Sequence, residues 1–568
     1  MEHARIFLAI LLSFLVFFVW EFFFIDRDVT RQKPQTAVVE KRENGKTISQ
    51  KDEPLPATAS ARAEETVDNA ENAISGTEQN KLTVQSSGVK QARTFKIENR
   101  YFRIEIDEKG GSVKRVELKD YRQEVGKDAK PYLLLDRDVQ PGSGWIGLKE
   151  GNADLIESAI FRADTDKQKL DVFENPLNLT MRYARPDGLR VEKIFKFKPD
   201  SYIIDMDVVV TNGTSQQLTA NLYAGISQLQ PKKKDRYGFS GPSALIDEKL
   251  KEVDVGDIEK QDQYSGKIRW IAVQNRYFLS ALATALNTDS IMKLSHNEAN
   301  VLNSELIAPE QSLLPGQTFA SQYQLYFGPK RMDVLKQYGI ELERVIHFGM
   351  FDFIAKPCLW FMNWVYGFIP NYGIAIILLT LLTKILLWPL GNKSYKSMNE
   401  MRRMQPLMTE IREKHKNDKK KMNEEMMNLY RVYKVNPLGG CLPMLVQLPV
   451  FFALYRMLYE AIELRHAPFF GWINDLSAPD RLFSFNITIP LMEPPYGIPV
   501  LTLIMGATMF LQQKMTPTPG DPTQAKMMTF MPIIFTVIFV NFSSGLVLYW
   551  LINNVVSISQ QYYIYKKS

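Results

Sequence analysis

The sequence predicts a multi-domain membrane protein: a polytopic α-helical core with six transmembrane helices, a large all-β domain and a cytoplasmic helical hairpin. Three observations carry this. Apolar residues, 45% of the 568, gather in the first 24 positions and again after about residue 350, with a mostly polar region between. That middle region alternates apolar and polar residues at period two, the pattern of half-buried antiparallel strands. The formal charge of +6 also has one address: residues 391–436 hold twelve Lys/Arg against six Asp/Glu, so the rest of the chain is close to neutral.

Taken in order, Ile6 to Phe24 ("IFLAILLSFLVFFVWEFFF") would form a helix of about 28 Å, close to the thickness of a bilayer core. A cleaved signal peptide competes with this. The apolar run exceeds a usual signal core, however, and "FIDRDVTRQ" behind it has no small-x-small cleavage site, which favours an uncleaved anchor over 1–25. Residues 26–92, rich in Lys, Glu, Ser, Thr, Gln and Ala, bury too little surface to order themselves and read as a flexible tether.

From Thr94 the texture changes. "TFKIENRYFRIEID", "LNLTMRY", "LRVEKIFKFK", "SYIIDMDVVVTN" and "IRWIAVQNRYFLSALAT" are strand-like runs bounded by Gly, Asn, Asp and Pro. They define a single large antiparallel sandwich over 93–335. After a helix expected in "KRMDVLKQYGIELE", residues 336–370 carry Trp360 and Trp364 at i,i+4. That spacing suits an amphipathic helix lying at the membrane surface and interrupted at Lys356-Pro357.

Residues 371–568 form the expected five-helix core, with candidate spans at 371–390, 442–464, 499–515, 527–542 and 545–562. By the positive-inside rule, the basic segment 391–436, the two-lysine link "KMTPTPGDPTQAK" and the C-terminal "YKKS" face the cytoplasm. The β-domain and residues 465–498 then lie outside, and both termini lie inside.

The candidate site comes from polar residues within these spans. An ionisable side chain at the centre of a membrane helix costs a few kcal/mol on insertion scales, so Lys384 inside "LLTLLTKILLWPL" needs compensation. Counting from the cytoplasmic ends, Lys384 and Gln447 both lie about 14 Å deep. Asn553 and Ser557, at i,i+4 with Trp550 one turn above, reach a comparable level. The expected arrangement is a hydrated, positively charged recess open toward the cytoplasm. Two plainer readings stand beside it: Lys384 snorkelling to the interface, and Gln447 as interhelical glue. Arg456 and Glu460, at i,i+4, are expected to pair with each other.

Within 391–436, Met401, Met404, Met408 and Ile411 face Met422, Met426, Leu429 and Tyr433. The two seams can zip as an antiparallel hairpin turning at Asn417-Asp418, with a kink at Pro406. Its basic Met-rich surface suits partner binding through Arg402, Arg403, Lys419 and Lys420, although a topology signal alone would look similar.

Other classes find little support. GxxxxGK[ST], HExxH and GxSxG are absent. The two cysteines, Cys358 and Cys441, are expected toward opposite faces, which argues against a disulfide. Neither belongs to a metal-binding cluster. No cofactor and no enzymatic activity are expected. A small-solute transporter or channel is the alternative, but the five spans show no inverted repeat.

"NKSYKSMNEMRRMQP", "YKVNPLGGCLPMLVQLPVFFALY", "APFFGWINDLSAPD", "KMMTFMPIIFTVIF" and "SSGLVLYWLINNVVSISQQ" closely resemble the YidC/Oxa/Alb family of membrane protein insertases, in its Gram-negative form. The resemblance implies an insertase and chaperone of the inner membrane with a periplasmic β-supersandwich and a hydrophilic groove. It implies that nascent membrane proteins are inserted alone or beside the Sec translocon (SecYEG, SecDF). Further implied partners are the ribosome, the signal-recognition particle or its receptor, and membrane lipids; DNA is not among them. By position, Lys384 stands where the family typically has a groove arginine, and Gln447, Trp550 and Ser557 match groove-lining positions. A lysine lacks the planar fork of arginine, so bidentate capture of a carboxylate is not expected of it.

Overall fold

Alternating burial along the strand-like runs builds the N-terminal half as two antiparallel sheets that share one strand. The computed structural model describes residues 92–568, apart from 127, 152, 157–158, 230–237, 286–287, 298–299, 434–441, 517–521 and 568. The anchor expected over 1–25, the tether 26–92 (but for its final residue) and Cys441 lie outside the described residues. Residues 92–568 pack as one unit.

One sheet orders its main strands Leu177–Ala184, Leu189–Phe197, Ile203–Asn212, Thr318–Pro329, Phe278–Thr284, Gln263–Gln274 and Gly241–Ile246. The other contains Thr94–Glu98, Phe102–Asp107, Ser112–Arg122, Ser143–Glu150, Leu218–Leu229, Val301–Ile307 and Asp289–His296. Strand Gln263–Gln274 belongs to both. Its first residues pair with Asp289–Lys293 and its later ones with Gly241–Ile246. The inner faces supply a dense core that includes Phe95, Phe102, Phe195, Trp270 and Tyr326.

Lys193 is fully buried in this core. Its Nζ donates to the carbonyls of Gly111 and Gly144 (2.8 Å for the latter) and lies 5.3 Å from the Phe195 ring. Lys193 thus ties the turn at Gly110-Gly111 and the strand Ser143–Glu150 to the strand Leu189–Phe197.

The helix expected in "KRMDVLKQYGIELE" is shorter than the sequence suggests. Helix α1 (Met332–Lys336) ends where the chain turns at Gly339 (φ 69°), and a 3-10 turn, Leu342–Val345, follows Glu341 at φ 60°. The positive φ values break the helical path. Helix α2 (Asp352–Phe368) runs unbroken through Pro357, correcting the expected interruption. A proline near a helix start removes one backbone bond and need not end the helix.

The remaining helices are α3 (Tyr372–Arg403), α4 (Gln405–Lys414), α5 (Lys419–Val432), α6 (Leu442–Glu460), α7 (Val500–Met515), α8 (Pro522–Phe539) and α9 (Ser544–Lys567). Five of them, α3 and α6 to α9, fall on the five expected spans. By length and composition, α3 is the one helix among the described residues long and apolar enough to cross a membrane; Met528–Phe539 is a shorter apolar stretch. Helix α9 packs along α3 and α7. At Gly391 of α3 a Cβ would lie 3.0 Å from the Gln560 amide of α9, so the two helices are in close contact there.

The β-domain and the bundle meet through two arginines. Arg276 Nε donates to the Tyr459 carbonyl (2.7 Å), with its guanidinium 3.5 Å from the centre of that ring. Arg465 donates to the Arg122 carbonyl (2.6 Å) and lies over Tyr132 and Phe278 at 5.3 and 5.5 Å.

Candidate functional site

Helices α3, α6 and α9 bring four of the expected site residues into one hydrogen-bonded chain. Lys384 is turned inward on α3, whereas Ile385 and Leu386, the next two residues, are 66% and 71% exposed. Its Nζ donates to Ser557 Oγ at 2.8 Å. Ser557 Oγ donates in turn to the Asn553 carbonyl one helical turn back (2.7 Å). Asn553 Oδ1 accepts from Gln447 Nε2 at 2.7 Å. The acceptor that faces the lysine is thus a neutral hydroxyl and not a carboxylate. Arg456 and Glu460 pair at 3.3 Å within α6, as their spacing predicts.

Trp550 lies one turn closer to the start of α9 and takes no part in this chain. Phe451 meets its ring edge-on at 4.8 Å, and Phe539 lies at 5.0 Å. Its Nε1 is buried without a hydrogen-bond partner among the described residues. The polar chain thus ends against an aromatic cluster that α6, α8 and α9 build together.

The sequence reading missed a second rung. Gln560, buried on the same α9 stripe, donates to Asn392 Oδ1 at 3.0 Å; Asn392 lies two turns beyond Lys384 on α3. It also missed the adjoining face, where Asn554 Nδ2 donates to Thr508 Oγ1 (3.2 Å) and Gln561 Nε2 to the Met515 carbonyl (3.0 Å), tying α9 to α7. The signal was present: the pairs Asn553-Asn554 and Gln560-Gln561 stand seven residues apart, two turns on one helix.

In the segment 391–436, α4 and α5 pair over a small core of Met404 and Met408 packed against Met401, Met426, Leu429 and Tyr430. Tyr430 fills the place the seam assigned to Tyr433, which is exposed. The helix breaks at Met404, two residues before Pro406, and Asp418 caps α5 by accepting from the amides of Lys420 and Lys421 at 3.1 and 3.0 Å. Arg402, Arg403 and Lys420 are exposed, with the Arg402 guanidinium 5.6 Å from the Tyr565 ring; the Lys419 side chain lies outside the description.

The chain matches the family model for the YidC periplasmic domain over residues 94–361 and that for the 60Kd inner membrane protein over 364–568. The membrane protein insertase YidC of Syntrophus aciditrophicus (strain SB) is 41% identical over 85% of this chain and 86% of its own length. That of Geobacter sulfurreducens is also 41% identical, over 82% and 84%. A crystal structure of an active YidC insertase with its first transmembrane domain resolved aligns over 84% of this chain and 93% of its own, at 20% identity and a TM-score of 0.37.

Proposed function

Because the chain belongs to the YidC family of membrane protein insertases, we propose that it inserts, folds and helps assemble integral inner-membrane proteins, alone or beside the Sec translocon. The observation that carries the reading is the chain Lys384–Ser557–Asn553–Gln447, which joins three helices through side chains costly to place in lipid.

In this reading α3 and α6 to α9 span the membrane, and the anchor at 1–25 makes six spans with both termini in the cytoplasm. The exposed apolar residues Leu503, Ile504, Leu511, Ile533, Ile534 and Val537 on α7 and α8 suit contact with lipid, since soluble surfaces rarely expose so much apolar area together. The basic segment 391–436 stays inside.

Moving a hydrophilic stretch of an incoming chain across hydrocarbon is costly because its polar groups lose their hydrogen bonds to water. A recess that holds water and the Lys384 ammonium shortens the dry path and favours acidic or polar substrate segments. The Trp550 cluster closes its outer end. The substrate's apolar segment then leaves along the helices into lipid, where its backbone bonds are satisfied within its own helix. The end of α3 and the start of α5 present Arg402, Arg403, Lys419 and Lys420 to the ribosome, the signal-recognition particle or its receptor.

Reconstitution tests this directly. Purified protein in liposomes should insert a small phage-coat-like substrate without nucleotide. Solute flux without insertion would replace this reading with that of a transporter.

A further inference from the structure

We propose that the hairpin within residues 481–498 is a membrane anchor that seats Phe483, Ile487 and Leu491 in the outer leaflet. The inference rests on the membrane reading above and adds a lipid-binding element to it.

The hairpin joins α6 to α7 through two short strands, Leu482–Phe485 and Tyr496–Ile498. Phe483, Ile487 and Leu491 are 68%, 73% and 78% exposed. Between Leu482 and Ile498, Glu493 is the only charged residue in 17 positions. Exposed apolar side chains on a nearly uncharged loop call for an apolar partner.

Ser484, Asn486, Thr488 and Glu493 are exposed beside these apolar side chains, but the polar groups at the base and on the return arm of the hairpin are engaged inward. Arg481 donates inward to the carbonyls of Pro495 (2.8 Å) and Val540 (2.9 Å). Asn541 Nδ2 donates to the Leu491 carbonyl (2.8 Å), and its Oδ1 accepts from the Glu493 amide (2.8 Å). At the base, Asp480 accepts from Trp472 Nε1 and the Leu501 amide, so the hairpin is fixed to the start of α7 and the end of α8. The carbonyls and amides so engaged are withheld from the outer surface, which is what entry into lipid requires.

Position supplies the partner. The base of the hairpin sits at the end of the bundle where α6 and α8 finish and α7 and α9 begin. Glu463, just past α6, accepts from Asn363 of α2 at 3.3 Å, so α2 lies at that same end. Helix α2 exposes Phe353, Trp360, Trp364 and Phe368. The hairpin and α2 thus both expose apolar side chains at one end of the bundle, and a leaflet that receives α2 is within reach of the hairpin. Aromatic and aliphatic rims of this kind settle at the headgroup boundary.

The test uses the full chain with Cys358→Ser and Cys441→Ser, in nanodiscs of phosphatidylethanolamine and phosphatidylglycerol. Nitroxides are attached at Phe483→Cys, Ile487→Cys or Leu491→Cys, with Trp360→Cys on α2 and Lys249→Cys on the β-domain as references. The measurement is the ratio of collision with oxygen to collision with a water-soluble nickel chelate. The proposal expects ratios at the hairpin several-fold above that at Lys249 and similar to that at Trp360. Hairpin ratios equal to that at Lys249, with a high ratio at Trp360, would overturn the proposal and leave the membrane reading standing. Low ratios at both sites would overturn the membrane reading and the proposal with it.

Discussion

Lys384 Nζ donates to Ser557 Oγ at 2.8 Å, joining α3 to α9 at the head of the polar chain that continues to Asn553 and Gln447. Removing either partner should weaken the contact. Removing both should cost less than the sum, because no ammonium is then left unsatisfied. A double-mutant cycle with Lys384→Met and Ser557→Ala, read from unfolding in detergent, should give a coupling of about 0.6 kcal/mol and no more than about 1.7, the range for hydrogen bonds between membrane helices.

Charge at residue 384 should matter more than its shape. In cells depleted of their own insertase, Lys384→Arg is expected to support growth. Lys384→Ala should support it poorly, and Lys384→Glu should fail through repulsion of acidic substrate segments. The measurement is growth together with the fraction of substrate inserted.

Glu108 gives the β-domain an acid-sensitive tie. Its carboxylate has no exposed surface and accepts from the Arg93 guanidinium (2.6 Å), the Arg162 guanidinium (2.8 Å) and the amides of Arg93 and Ala163. Burial alone would raise its pKa, but the Arg93 hydrogen bonds and the Ala163 amide outweigh it and hold the group at about 2, below its ordinary 4.5. A depressed pKa means stability fully present above pH 4.5 and lost as the pH falls toward 2. Glu108→Gln should lower stability at pH 7 by about 1–3 kcal/mol and flatten the loss between pH 4.5 and 2. Denaturant titrations across that range check it.

Arg465 should hold the β-domain on the bundle. It combines hydrogen bonds to the Arg122 and Gln123 carbonyls with contacts to the Tyr132 and Phe278 rings. Each cation–π contact is worth about 0.5–2 kcal/mol. Arg465→Ala should raise amide exchange in residues 121–123 and 276–278 and leave the sandwich core unchanged.

The sandwich was legible where burial follows period two. Along Ile203–Asn212 the buried and partly exposed positions alternate, as "IIDMDVVVTN" implies. Gln263–Gln274 was harder. It alternates only over its first half and is buried continuously from Trp270, because its second half is covered on both faces. Lys193 escaped notice although the same alternation puts it on the core side between Val191 and Phe195. A lone residue carries no sign of the carbonyls that will receive it.

In the bundle, counting residues from the basic segment was enough to bring Lys384, Gln447, Asn553 and Ser557 together, since rise per residue fixes depth. Depth does not fix rotation about the helix axis. The Asn392–Gln560 rung, the Asn554–Thr508 contact and the exclusion of Trp550 from the polar chain all depend on rotation, which packing decides.

The central claim is that water reaches this polar chain from the cytoplasmic side. Gln447→Cys and Asn553→Cys, in a chain carrying Cys358→Ser and Cys441→Ser, should react with a membrane-impermeant maleimide in inverted vesicles far faster than Ile534→Cys on the exposed apolar side of α8. Reaction at Gln447→Cys and Asn553→Cys no faster than at Ile534→Cys would mean a dry, sealed contact and would contradict the account.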